Sequence, residues 1–176
     1  RPARFTPDLR ADWPDLPPQD ARYLETLFFQ YGRYLLIASS RPGSLPANLQ
    51  GVWNDKEYPP WNDDYHVNIN LQMNYWPSHM LNLPGTEQPY IDFVSHLRIA
   101  GQNSARLIWD APGWAVFLNT NVFGFTGLID WPTAFWQPEG AAWLSRLIYD
   151  HYLFTGDDAY LRETAWPILK GASDFW

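Results

Sequence analysis

The chain contains no cysteine. That removes disulfides and thiolate metal ligands from consideration, without fixing a compartment. Basic residues are few: 12 Lys and Arg stand against 19 Asp and Glu, for a net charge of −7. A phosphate-binding surface needs clustered Lys and Arg, so nucleic acid is not an expected partner. A polybasic membrane contact is disfavoured for the same reason. No run of about 18 apolar residues occurs, so no membrane-spanning helix is expected. The four histidines, His66, His79, His96 and His151, show no HExxH or similar spacing. The sequence therefore points to no metal site and no cofactor. A signal peptide is not visible, and the chain begins at Arg1 rather than Met, which suggests that a native beginning has been removed.

What is present is aromatic and apolar. Hydrophobic residues make up 46% of the 176, enough for one domain with a real core. Eleven tryptophans suit either ring packing between helices or aromatic clefts, and most are assigned to the core. Pro2, Pro7, Pro14, Pro17 and Pro18 predict extended chain over residues 1–19, a linker or surface strap with Phe5 and Trp13 tucked into the body. Asp20 is a candidate cap for a first helix, in which Leu24, Leu27, Phe28, Tyr31 and Leu35 recur at helical spacing, ending near Ser39 or Ser40. A second helix starts near Asn70 and runs towards His79, disturbed by Pro77. A third is capped by Thr86 and reaches Ile108. A fourth spans Gly140 to Thr155, with Leu144, Leu147, Ile148 and His151 on one side. Gly156 stops it, Asp157 caps a fifth, and Pro167 kinks or splits that one. Residues 41–66 and 110–137 lack helical periodicity, and strand alternation is absent. The fold class is all-α, with two long irregular aromatic-rich loops.

The first loop, together with the residues just after it, is the most unusual stretch. It carries Asn48, Asn54, Asn62, Asn68, Asn70 and Asn74 beside Trp53, Trp61 and Trp76, with Asp63, Asp64, Tyr65 and His66 between them. Rings that pack on C–H faces, next to short polar side chains that meet hydroxyls, fit a sugar. The runs FFQYGRYLLIASSRPGSLPANLQGVWN (Phe28 to Asn54) and DYHVNINLQMNYWP (Asp64 to Pro77) closely resemble the catalytic domain of glycoside hydrolase family 95. NVFGFTGLIDW, and the segment from Ala141 to Trp176, resemble it more loosely. The resemblance covers most of the chain from about Tyr23 onward. It implies an (α/α)6 toroid, of which residues 20–176 supply the N-terminal part. It also implies inverting α-L-fucosidase or α-L-galactosidase activity on oligosaccharides, and a secreted or periplasmic location.

The same resemblance makes Asn68 and Asn70 the catalytic candidates, as the amides that orient the hydrolytic water, with His66 on a sugar hydroxyl. An amide carbonyl accepts a hydrogen bond from water but does not take its proton at neutral pH, so a carboxylate partner is needed. The plainer reading is that these amides satisfy loop backbone. In an extended segment Asn68 and Asn70 point the same way, while Val67 and Ile69 point into the core. Trp53, Trp61 and Trp131, with Trp76 and Trp136, are candidate platform rings, each also a natural core residue. Thr126 and Asp130 in the second loop are further candidates. Inversion needs an acid and a base roughly 6.5–9.5 Å apart. The resemblance puts both in later segments that this chain lacks, and Asp150 is not assigned the acid role. The pattern stops at Trp176 in mid-helix, which suggests a truncated domain that meets its remainder or a second copy. The alternative is a non-catalytic carbohydrate-binding or structural fragment. A toroid phosphorylase would need basic residues near the water, and Asp63 and Asp64 stand there instead.

Overall fold

The computed structural model describes residues 5–176; Arg1 to Arg4 lie outside the described residues. The chain is all-α. Thr6–Ala11 (α1) and Pro18–Ser39 (α2) lead into the first long loop. Asn70–Tyr75 (α3) and Pro77–Met80 (α4) come next as a broken pair, divided at Trp76 and Pro77. A tight turn over Pro84–Glu87 opens the long helix Gln88–Trp109 (α5). After the second loop, with the short Pro132–Phe135 (α6), come Gly140–Thr155 (α7), Asp158–Tyr160 (α8) and Trp166–Phe175 (α9).

Proline explains one departure from expectation. Its density predicts extended chain over residues 1–19, yet α1 forms inside that stretch, with Pro7 in its first turn, and Pro18 opens α2. The first-turn N–H groups of a helix have no partner in the helix, so a residue without one costs nothing there. The anchor of this segment is Leu9, fully buried; Phe5 and Trp13 stay exposed. Asp20 lies in the first turn of α2 rather than at its cap, and Thr86 lies in the turn before α5. The other stops are as the sequence suggests. Gly156 ends α7 in a left-handed conformation, and the Asp157 carboxylate accepts from the N–H groups of Ala159 and Tyr160. A π-helical turn over Leu161–Ala165 precedes Pro167 and accommodates it.

The core sits where α5, α7 and α9 meet, built on Val94, Leu97, Leu144, Ile148 and Ile168. Each such side chain, fully buried, contributes about 1.5–3 kcal/mol. Trp114 is its largest member: the indole N–H donates to the Ile168 carbonyl at 3.0 Å. The chain before and after Trp114 lies against two helix backbones. A Cβ on Gly101 would meet the Ala115 carbonyl oxygen at 2.7 Å, and one on Gly113, whose φ is +74°, would meet the Gly171 carbonyl oxygen at 2.2 Å. Only glycine permits both approaches.

Burial runs against simple patterning in two places. The α2 stripe is helical in spacing but faces outward: Leu24 and Leu36 are buried, whereas Phe28 is 80% exposed and Tyr31 55%. Residues Leu27, Phe28, Phe29, Tyr31, Tyr34 and Leu35 ring much of this helix, so periodicity alone does not choose a face. Most tryptophans are also not in the core. Trp114 is fully buried, while Trp53, Trp61, Trp76, Trp131, Trp136, Trp166 and Trp176 all stand largely exposed.

Candidate functional site

The two long loops meet through a very short antiparallel ladder. Tyr65 pairs with Thr120 and His66 with Asn119, and the Val67 N–H donates to the Leu118 carbonyl at 2.7 Å. The chain then turns through 67–69 and enters α3 at Asn70. Asn68 and Asn70 are therefore not on one extended strand. One lies in a turn and the other is the first helical residue, yet both face the same hollow. Val67 is fully buried, as expected, but Ile69 is only partly so.

The first loop is held from beneath. The Tyr75 hydroxyl bonds the Ser40 hydroxyl at 2.6 Å and accepts from the Ala47 N–H at 2.8 Å. Tyr65 donates to the Pro46 carbonyl at 2.8 Å. The asparagines now divide by task. Asn74 donates to the carbonyls of Ala47 and Asn48; Asn48 donates to Asp63 at 2.8 Å and accepts from the Gln50 N–H; Asn54 closes its own turn with Lys56. These three do the backbone work that the plainer reading gives to Asn68 and Asn70. The Asn68 carbonyl oxygen is buried without a partner among the described residues. So are His66 Nε2, Gln50 Oε1, Asp63 Oδ1, Asn119 Oδ1 and Thr120 Oγ1. Buried polar atoms are ordinarily paired, so a cluster of unpaired ones is informative.

Gln50, His66 and Asn68 line a cleft of about 610 Å³, together with Trp61, Asn70, Leu118, Trp131 and Phe135 among others. Ligand pockets fall in this size range. Trp61 meets His66 edge-on at 5.4 Å, and Trp131 meets Phe135 edge-on at 4.9 Å. Trp61, Asn62 and Asp63 all have φ between 54° and 59°, a left-handed run that costs energy in non-glycine residues. It stands the Trp61 ring at the mouth of the cleft. Burial pushes the His66 imidazole below its usual pKa, so it is neutral at pH 7. Burial first, then the charges of Asp130 and Asp63, pushes Asp64 up. Among the described residues that line the cleft there is no carboxylate.

Of the residues singled out in the sequence, His66, Asn68, Asn70, Trp61 and Trp131 come together. Trp53 does not: its ring folds over Gly51 and towards Tyr34, 6.4 Å away. Thr126 lies in a separate hollow, bonded to the Ser104 hydroxyl at 2.8 Å, so its polar group is already used. Trp136 packs on Trp109 and Phe117. Sequence patterning does not reveal Gln50 or Leu118 as cleft residues; Gln50 comes from the turn closed between Asn48 and Gly51, and the strand pairing sets Leu118 and Asn119 beside His66 and Val67. A larger apolar groove of about 840 Å³ lies between α1 and α2; among the described residues its charged lining is Arg10 and Glu25, and these carry none of this chemistry. A further gathering that the sequence does not announce is His79, Glu87 and His151, whose ligand atoms lie within 4.8 Å of one another.

The loops of this all-α scaffold hold amides and indoles around an open cleft, groups suited to the hydroxyls and C–H faces of a sugar. The family model described as the glycosyl hydrolase family 95 catalytic domain matches residues 10–176. The chain belongs to that family. It is 44% identical over 158 residues, 88% of its length, to the probable alpha-fucosidase A of Aspergillus niger. It is 43% identical over 159 residues, 89% of its length, to alpha-L-fucosidase 2 of Arabidopsis thaliana. These matches cover 20% and 19% of the two relatives, so the chain spans about a fifth of their length. No helix among the described residues is long and apolar enough to cross a membrane.

Proposed function

We propose that this chain forms the water-positioning side of an inverting glycoside hydrolase that removes terminal α-L-fucose, or α-L-galactose, from oligosaccharides. The observation that carries the reading is the unpaired Asn68 carbonyl oxygen in a cleft shared with Asn70, His66 and two indoles. The Asn68 and Asn70 carbonyls accept hydrogen bonds from one water and aim its lone pair at the anomeric carbon. As the new C–O bond forms, the bond to the leaving oxygen breaks. An acid protonates that oxygen, and a base takes the water proton. Both carboxyl groups come from outside this cleft lining. The neutral His66 holds a sugar hydroxyl, while Trp61 and Trp131 pack on the C–H faces of the ring.

The test is hydrolysis of an aryl α-L-fucoside and an aryl α-L-galactoside by the full-length protein, with the anomer of the released sugar followed by NMR. First release of the β-anomer supports the reading; first release of the α-anomer, or no turnover of either sugar, defeats it. The absence of a carboxylate among the cleft-lining residues favours a second reading, a chain that binds sugar without turning it over. Calorimetry of this chain with L-fucose separates the two: binding without hydrolysis by the full-length protein selects the second. Large exposed rings on α2, such as Phe28 and Tyr31, support docking of this chain onto further polypeptide or a second copy. Sedimentation of the isolated chain as a compact monomer would contradict that. The expected secreted or periplasmic location rests on the family resemblance and is checked by fractionation.

A further inference from the structure

His79 and Glu87 stand eight positions apart and His151 lies 64 beyond Glu87; they belong to α4, the turn before α5, and α7. Glu87 is fully buried. Among the described residues its ion-pair partners are imidazoles, not Lys or Arg. His79 Nε2 lies 2.6 Å from Glu87 Oε2, and His151 Nδ1 lies 2.9 Å from the same oxygen. The His79 side chain is 5% exposed, and its Nε2 makes no aligned hydrogen bond despite that short approach. Two ring nitrogens and a carboxylate oxygen thus converge on one point from three elements.

We propose that His79 Nε2, His151 Nδ1 and Glu87 Oε2 form a structural site for a divalent transition metal, with Zn²⁺ the best match. Two imidazoles and one carboxylate are a common zinc donor set, with a fourth position left for water. Tetrahedral zinc holds such donors about 3.3 Å apart; the two nitrogen–oxygen separations widen by well under an ångström to reach that, and the three ligand atoms already lie within 4.8 Å of one another. The surroundings resemble those of a built site. The Ser78 hydroxyl donates to Glu87 Oε1 and leaves Oε2 free to point at the imidazoles. Phe154 stacks on the His79 ring at 4.7 Å, nearly parallel, and Tyr160 covers the His151 ring at 4.6 Å. These rings limit access of water.

None of the three ligands lines the cleft of Asn68 and Asn70. The role is therefore to fasten α4 to α7. Because α4 continues directly from α3, the ion also steadies the helix that begins at Asn70. The metal site stands whether or not the cleft hydrolyses a fucoside.

The test uses the whole chain, stripped with a chelator and titrated with ZnCl₂ by calorimetry. A single equivalent is expected, with a rise in thermal midpoint. Uptake should weaken about tenfold or more in His79→Gln, His151→Gln and Glu87→Gln, and remain unchanged in His96→Gln, an exposed histidine. Should a variant fail to fold, Co²⁺ in the unaltered chain decides the matter. Intense d–d bands of low-coordinate cobalt on imidazole support the site, and a weak hexaaqua-like spectrum overturns it. Lack of stoichiometric zinc uptake by the folded chain, or uptake by all three ligand variants as tight as by the unaltered chain, also overturns it.

Discussion

Trp114 and the pair Trp61 and Trp131 put the same ring to opposite uses. Trp114 is fully buried, its N–H is satisfied by the Ile168 carbonyl, and glycines leave room for the backbones around it. Trp61 and Trp131 are 63% and 56% exposed, at a cleft where Gln50, His66 and Asn68 each present a buried polar atom with no partner among the described residues. Around Trp114 the polar atoms are closed by the protein itself; around Trp61 they are left for something else. Ring content alone therefore does not separate core from site. The state of the neighbouring donors and acceptors does.

Four outcomes test that contrast. The largest concerns the closed region: Trp114→Ala should lower stability by about 3–5 kcal/mol, read from urea unfolding. A loss below about 1 kcal/mol would mean that the ring is not what fills this core. Next is the open region. In the full-length protein, Asn68→Ala with Asn70→Ala should reduce kcat by about 10²–10³-fold, with KM nearly unchanged. Near-normal turnover would return both amides to ordinary loop duty.

Removing a platform ring should do less. Trp61→Ala is expected to weaken fucose binding about two- to tenfold, with stability altered by no more than about 0.5 kcal/mol. Equal losses of binding and stability would place Trp61 with Trp114 instead. The smallest effect is a pH dependence. The His66 pKa is lowered on folding from the usual 6.5, so the unfolded chain takes up a proton first as the medium acidifies. Stability from this group is present above about pH 6.5 and is lost as pH falls from there to the folded pKa. The slope is at most about 1.4 kcal/mol per pH unit. Urea midpoints compared at neutral and mildly acidic pH should show a shallower fall in His66→Gln than in the unaltered chain.

Much of the fold was legible in the sequence because helix punctuation is local. Gly156, Asp157 and Pro77 act within one turn of themselves, and each does what its chemistry dictates. Prolines in residues 1–19 misled because the same residue that breaks a helix interior is welcome in a first turn. The direction of α2 was illegible for another reason: apolar residues on most of its circumference leave no unique inner face. At the cleft, the run His66, Val67, Asn68, Ile69, Asn70 was visible as a pattern, but its geometry was not. The extended backbone expected there gives way to a turn and a helix start, because Leu71, Gln72 and Tyr75 bury themselves on α3 and Gln72 donates to the Val67 carbonyl at 2.6 Å.

The sequence by itself determined the helical class, most helix ends and the chemical character of the first loop, since each depends on residues a few positions apart. Tertiary structure alone decided which asparagines serve the backbone and which face the cleft. It also decided that Thr126 is spent on Ser104, and that Gln50 and Asn119 join His66. A two-residue ladder carries no periodic signal, yet the register of Tyr65 with Thr120 brings the two loops together. The same holds for His79, Glu87 and His151. Nothing in their spacing along the chain announces them, and only the packing of α4, the turn before α5, and α7 gathers their polar atoms at one point.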